Sequence, residues 1–249
     1  LPLLTVQLLN DAALTFPPGT GLGWDKLHRR AVCRCSEAAL LALVRIFILC
    51  EVLGHWPGVI GVTLISLLPK LEGGRRPIGL LPSVVRWWMR VRLQVARAWQ
   101  SEHERPFFYA GPRKGAEVAS WKQAARAELA SCSSMLSYAN AMLDLVKAFE
   151  RVPHEWLIKQ GMRYKYPMRA LRLSIRSYRL GRHIVIEGVC SVVLYAHRGI
   201  TAGAVHATTE LRLLLLQWLD ETVHIYPQID ITVYVDDTSF EASGSAETV

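Results

Sequence analysis

Ile229-Asp230-Ile231-Thr232-Val233-Tyr234-Val235-Asp236-Asp237-Thr238 is an alternating, β-branched run that ends on two adjacent carboxylates. Neighbouring carboxylates repel, so an ordered pair is either freely solvated at a hairpin tip or held by a cation. Another acid, Asp144, closes a second run, Ser137-Tyr138-Ala139-Asn140-Ala141-Met142-Leu143-Asp144-Leu145, with Leu143 and Leu145 on one side and Asp144 on the other. Carboxylates on neighbouring strands are oxygen ligands for a hard divalent cation. Such cations serve in-line displacement at phosphorus, where two of them stabilise the attacking and leaving oxygens.

These acids must be positioned by strands and by the turns that close them. The two-residue period puts Ile229, Ile231, Val233 and Val235 on one strand face and Asp230, Thr232, Tyr234 and Asp236 on the other, so Asp236 is expected to point away from the core. After Asp144 the chain turns through Lys147-Ala148-Phe149-Glu150-Arg151-Val152 into a helix start marked by Pro153 and Glu155. Upstream, Leu68-Pro69-Lys70-Leu71-Glu72-Gly73-Gly74-Arg75-Arg76-Pro77-Ile78-Gly79-Leu80-Leu81 reads as a hairpin with a basic tip, turned by Gly73-Gly74. Ser36 to Leu53 reads as an apolar helix carrying Arg45 and Glu51. In a helix around residues 84–99, Val84, Trp88, Val91, Val95 and Trp99 form a buried side, while Arg86, Arg90 and Arg97 form a basic stripe, suited to phosphates or to solvent. Gly111-Pro112-Arg113-Lys114-Gly115 reads as a loop before a helix with Val118, Trp121, Ala125 and Leu129. Met168 to Leu180 reads as a basic amphipathic helix closed by Gly181, His183 to Gly188 with Val192 to Tyr195 as a hairpin, and Thr201 onward as a helix through Trp218.

Three of these blocks together resemble reverse transcriptases of the non-LTR retrotransposon and group II intron type. Leu143-Asp144-Leu145-Val146-Lys147-Ala148-Phe149 is similar to their first palm motif, Tyr234-Val235-Asp236-Asp237 to their catalytic hairpin, and Leu68 to Leu81 to their fingers hairpin. The resemblance covers roughly residues 59–238 and implies an α/β (α+β) polymerase right hand, with fingers and an antiparallel palm sheet packed by helices. It implies Asp144, Asp236 and Asp237 as catalytic acids, with Asp144, Asp236 and the carbonyl of Leu145 as ligands of magnesium or manganese. It implies Lys70 and Arg76 as triphosphate contacts and Phe149 as the aromatic under the sugar, which selects deoxynucleotides. In the second palm motif Arg198-Gly199 stands where relatives commonly carry Gln-Gly, and these two are expected at the nucleotide. Arg86, Arg90, Arg97 and Tyr234 are expected at nucleic acid. The implied segments are an N-terminal helical extension (1–58), fingers with their connection (59–136) and a palm (137–249) containing a fingers insert near 160–200.

The activity implied is RNA-templated DNA synthesis, with RNA template, DNA primer and deoxynucleoside triphosphates as partners. Three other readings stay open: an inactive, decayed scaffold that binds nucleic acid, favoured by Arg198, Gly203 and the expected truncation; an RNA-directed RNA polymerase, which shares the two-acid palm; and a non-enzymatic protein in which Asp236-Asp237 is a simple hairpin tip. The chain of 249 residues, 51% hydrophobic, suffices for a substantial core, and a formal charge of +8 favours an anionic partner. The five scattered cysteines fit reduced intracellular thiols, and the single-residue gap of Cys33-Arg34-Cys35 is wrong for a zinc knuckle. No stretch reads as a membrane span. The location expected is intracellular, and nuclear for a eukaryotic retroelement. Without an initiating methionine, and with only Thr238 to Val249 after the acids, the chain is expected to be a fragment lacking the thumb.

Overall fold

A computed structural model describes residues 1–71, 73–111 and 114–245; Glu72 of the basic hairpin and Pro112 and Arg113 of the expected loop lie outside them. In chain order the elements are α1 (Val6–Leu14), α2 (Glu37–Leu53), β1 (Thr63–Pro69), β2 (Arg75–Leu80), α3 (Ser83–Val91), α4 (Leu93–Glu102), α5 (Ala116–Ser131) and β3 (Ser137–Leu143). Then come α6 (His154–Arg163), α7 (Met168–Tyr178), β4 (Arg182–Ile186), β5 (Val189–Cys190), α8 (Ala207–Ile225), β6 (Ile229–Tyr234) and β7 (Asp237–Gly244). The protein is thus mixed α/β, and its described residues divide into two compact units, 1–101 with 149–210, and 102–148 with 211–249. Residues 1–58 are part of the first unit, and the stretch after residue 149 returns to it.

The first unit is built on a mixed sheet in the order β2-β1-β4-β5, in which β1 pairs antiparallel with β2 and parallel with β4. The β1–β2 hairpin turns as expected at Gly73 and Gly74, both at positive φ (87° and 80°). Its helical part is closed by aromatics: Phe47 meets Trp56 and Trp87 edge to face, and Trp56 meets Trp88. Helix α2 runs from the Ser36 cap to Gly54 at φ 65°, and buries Glu51 in a pair with Arg92 (Nε to Oε1, 2.6 Å) to which the Trp88 indole also donates. Arg92 is where the expected single helix breaks into α3 and α4.

Two further expectations need correction. The segment after Thr201 turns rather than coils, and α8 begins only at Ala207, because Gly203 sits at φ 94° with its α-carbon against the carbonyl of Gly79. The hairpin after α7 reverses at Glu187-Gly188 (φ 50° and 84°), so the return strand β5 starts earlier than expected, at Val189–Cys190, and the expected Val192 to Tyr195 segment pairs only through the antiparallel bridge of Leu194 with Arg182.

The second unit is an antiparallel sheet in the order β3-β7-β6. Consecutive residues of β7 face opposite ways, and each face has its helix. Phe240 meets Trp218 of α8 at 5.7 Å, whereas Ser239 accepts a hydrogen bond from Gln123 of α5 and Glu241 pairs with Arg126 of α5 at 2.6 Å. The free edge of β6 is closed by residues 107–109: the Val233 amide donates to the Phe107 carbonyl and the Tyr109 amide to that of Val233. Helix α5 turns its small and polar stripe, Ala119, Gln123, Arg126 and Ala130, inward, and leaves Trp121 76% exposed. No helix among the described residues is long and apolar enough to cross a membrane.

Candidate functional site

The sheet of the second unit brings the acids to one end. Leu143 pairs with Thr238, so the next rung outward holds Asp144 and Asp237, and Tyr234 pairs with Asp237 across the β6–β7 turn. That turn has two residues, Val235 and Asp236, with Val235 at φ 62°. A positive φ confined to the first turn position is the type II′ arrangement that suits a right-twisted hairpin, and glycine is its usual occupant. The alternation expected along the strand therefore stops at Tyr234: Asp236 belongs to the turn and follows a valine held at a positive φ.

Asp144 and Asp237 are both exposed and line one cavity of about 370 Å³, together with Tyr234 and with Ala116, Ser120 and Gln123 of α5. The residues from α5 were not foreseen; the four-three-four spacing of Ala119, Gln123, Arg126 and Ala130 was the available signal. Helix α5 has no side-chain cap at its start, so the N–H groups of its first turn add positive potential at the cavity. Leu145, the expected carbonyl ligand, already accepts from the amide of Ala148 at 3.0 Å and keeps one lone pair. Among the described residues no three of His, Cys, Asp and Glu gather as a metal cage. Carboxylate and carbonyl oxygens are the donors that magnesium takes, and one or two carboxylates suffice when phosphates complete its shell. The residue types present fit that ion.

In the first unit the structure joins Phe149, Arg198 and Gly199. The Gly199 amide donates to Val152 and the Ile200 amide to Phe149, both at 2.7 Å, while Pro153 and Arg198 form an antiparallel bridge. Gly199 stands at φ 95°, and a Cβ there would lie 2.7 Å from the Glu150 carbonyl oxygen, so only glycine lets the two segments touch. The base of the β1–β2 hairpin seats on the same segment: the Gly79 amide donates to Ala202 at 2.9 Å and its α-carbon abuts Thr201. Lys70 and Arg76 are exposed on that hairpin, Lys70 in its loop and Arg76 opposite Leu68.

The expected basic stripe is only partly free. Arg97 is exposed, but Arg86 donates to the Gly21 carbonyl at 2.6 Å and Arg90 stacks on Phe16 at 4.9 Å, with Arg29 on the same ring at 5.4 Å. Burial, with repulsion from Arg29 and Arg90, pulls the Arg86 guanidinium down to about 10. Arg86 and Arg90 thus serve internal packing, since the loop before residue 30 covers them.

Set against models of known protein families and against curated proteins, the sequence matches none.

Proposed function

We propose that this chain is the core of an RNA-directed DNA polymerase that joins deoxynucleotides by two-metal nucleotidyl transfer. The observation that carries the reading is the convergence of Asp144 with the Asp236-Asp237 turn at one end of a hydrogen-bonded sheet, on residues arranged in the family's motif order. Bound magnesium would supply Lewis-acid stabilisation of the attacking and leaving oxygens, held by Asp144, Asp236 and the Leu145 carbonyl. Asp237, on the same rung as Asp144, adds negative charge that favours cation binding. The two-residue turn fixes Asp236, and the Gln123–Ser239 and Arg126–Glu241 contacts hold α5 to the strand that carries Asp237. Phe149, fixed through its carbonyl by Ile200, is the residue that would exclude a 2′-hydroxyl, and Lys70 and Arg76 would neutralise the triphosphate.

The test is primer extension on an RNA template with magnesium and either deoxynucleotides or ribonucleotides. Extension with deoxynucleotides that disappears in Asp236→Ala and Asp144→Ala is the expected result. Preferential use of ribonucleotides would transfer the proposal to an RNA polymerase. A chain that binds primer and template yet never extends them would be a non-catalytic scaffold, a reading that the exposed Arg198 in place of the family's glutamine favours.

A further inference from the structure

Two adjoining cavities lie within the first unit, and none of the three acids lines either. One, of about 530 Å³, is basic: Arg179, Arg182, Arg198 and His197 line it, against the carboxylates of Glu150 and Glu155. The other, of about 280 Å³, is apolar, with Ile65, Ile184, Leu194 and Ile200 in its wall. Glu150, Arg182, Tyr195 and Ala196 belong to both linings, so the two adjoin as one recess with a carboxylate, a guanidinium and a tyrosine at the join. Tyr195 is 71% exposed.

The fold holds the cations in place. Arg179 Nε donates to Nδ1 of the buried His154 at 3.0 Å. A guanidinium has no acceptor, so Nδ1 carries no proton; the ring proton sits on Nε2, which donates to the Gly199 carbonyl at 2.8 Å. Burial holds this imidazole below its ordinary range, and it stays neutral as the Arg179 contact requires. Arg182 donates through Nη2 to the Tyr178 carbonyl at 2.7 Å, yet its Nε is buried without a partner. A buried guanidinium N–H lacking an acceptor is destabilising until an acceptor arrives, and an oxyanion supplies one.

We infer that this recess binds one unpaired nucleotide of a single-stranded nucleic acid, its phosphate among Arg179, Arg182 and Arg198 and its base against Tyr195 in the apolar part. A small anion would use the guanidiniums but leave the apolar cavity without purpose. A duplex would offer phosphates but keep its base faces stacked, whereas an unpaired base presents a face to an aromatic ring. The inference goes beyond the polymerase reading, because it uses none of the three acids and needs no metal.

The experiment is fluorescence anisotropy with the full chain in excess EDTA, using a labelled single-stranded oligouridylate and an abasic strand of equal length. Blunt duplex and inorganic phosphate serve as competitors. Tyr195→Ala is expected to weaken the oligouridylate about tenfold and to leave the abasic strand unchanged. Arg179→Gln should weaken both and reduce the slope of log affinity against log salt by about one. Both side chains are exposed, and an unaltered melting temperature will verify that the variants fold. Equal effects of Tyr195→Ala on the two strands, or no effect of either substitution, would overturn the inference. So would duplex competing as well as the single strand, which would mean a backbone groove, or phosphate doing so, which would mean a simple anion site. With metal absent, a negative result here leaves the extension assay untouched, and a failed extension assay leaves this one.

Discussion

Single residues carry most of the chemistry proposed for this chain, and two of them sit where their type is unfavourable. Val235 is β-branched and holds φ 62°, a conformation that costs about 1–3 kcal/mol outside glycine. Val235→Gly should stabilise the second unit by about 1 kcal/mol in denaturant titration while lowering primer extension, because the stiff valine is what aims Asp236. Glu210 is fully buried, receives the Tyr178 hydroxyl at 2.6 Å, and is pushed by burial up to about 7 from the ordinary 4.5. Its contribution to stability is complete below pH 4.5 and is lost as pH rises through about 7. His206, buried and bonded to the Met89 carbonyl, is depressed by burial to about 4 from 6.5, so its contribution is present above pH 6.5 and lost as pH falls through about 4. The two slopes oppose each other between pH 4 and 7 and largely cancel. Glu210→Gln should uncover the histidine: stability measured by urea titration will then rise across that window, by about 3 kcal/mol at most. A flat profile in the variant would show that the histidine does not titrate there.

At the level of elements, the clamp between the segment before α6 and Arg198-Gly199 depends on a backbone-to-backbone approach in the first unit. Gly199→Ala would force a Cβ to 2.7 Å from the Glu150 oxygen at a φ that alanine avoids. It should cost about 2 kcal/mol or more and shift Arg198, lowering nucleic-acid affinity as well. The join of α2 to Arg92 depends on a different force. Glu51 and Arg92 are both buried, so Glu51→Gln strands a guanidinium and should cost ~3–5 kcal/mol, whereas Glu51→Met with Arg92→Leu should recover much of it. Thermal unfolding of the single and double variants checks this, and additive losses would rule out a coupled pair. For the proposed chemistry the register of the second unit's sheet is decisive, since one rung places Asp144 beside Asp237. A one-residue slip would send the acids to opposite faces.

On the scale of the whole chain, the excess of 29 Lys and Arg over 21 Asp and Glu gives +8, which favours an anionic partner and, for the proposed nucleic acid, predicts salt-sensitive binding. Not every cation shares in it. Arg97→Gln, at an exposed position, should lower the salt slope of strand binding by about one and leave melting unchanged. Arg86→Gln and Arg90→Gln should do the reverse, since those side chains hold the Gly21 carbonyl and the Phe16 ring. Titrations at several salt concentrations, paired with melting curves, separate the surface charges from the structural ones.

The sequence by itself determined the features written in short-range patterns: the alternating strand into the acid turn, the Gly73-Gly74 hairpin, the Ser36-capped helix, the start of α6 after Pro153, and the acids themselves. Each arises from periodicity, capping or turn chemistry over a few residues, which local sequence encodes directly. Only the tertiary structure decided which residues face each other across long separations. It turned Arg86 and Arg90 inward, delayed α8 to Ala207 by packing Gly203 on Gly79, and set Gln123 of α5 beside Asp144 and Asp237. It also assembled Arg179, His154, Arg182 and Tyr195 around one recess from segments that carry no shared motif. Burial and hydrogen-bond partners are properties of the packed chain, so the charge state of Glu210 and the freedom of an arginine emerge only when distant segments meet.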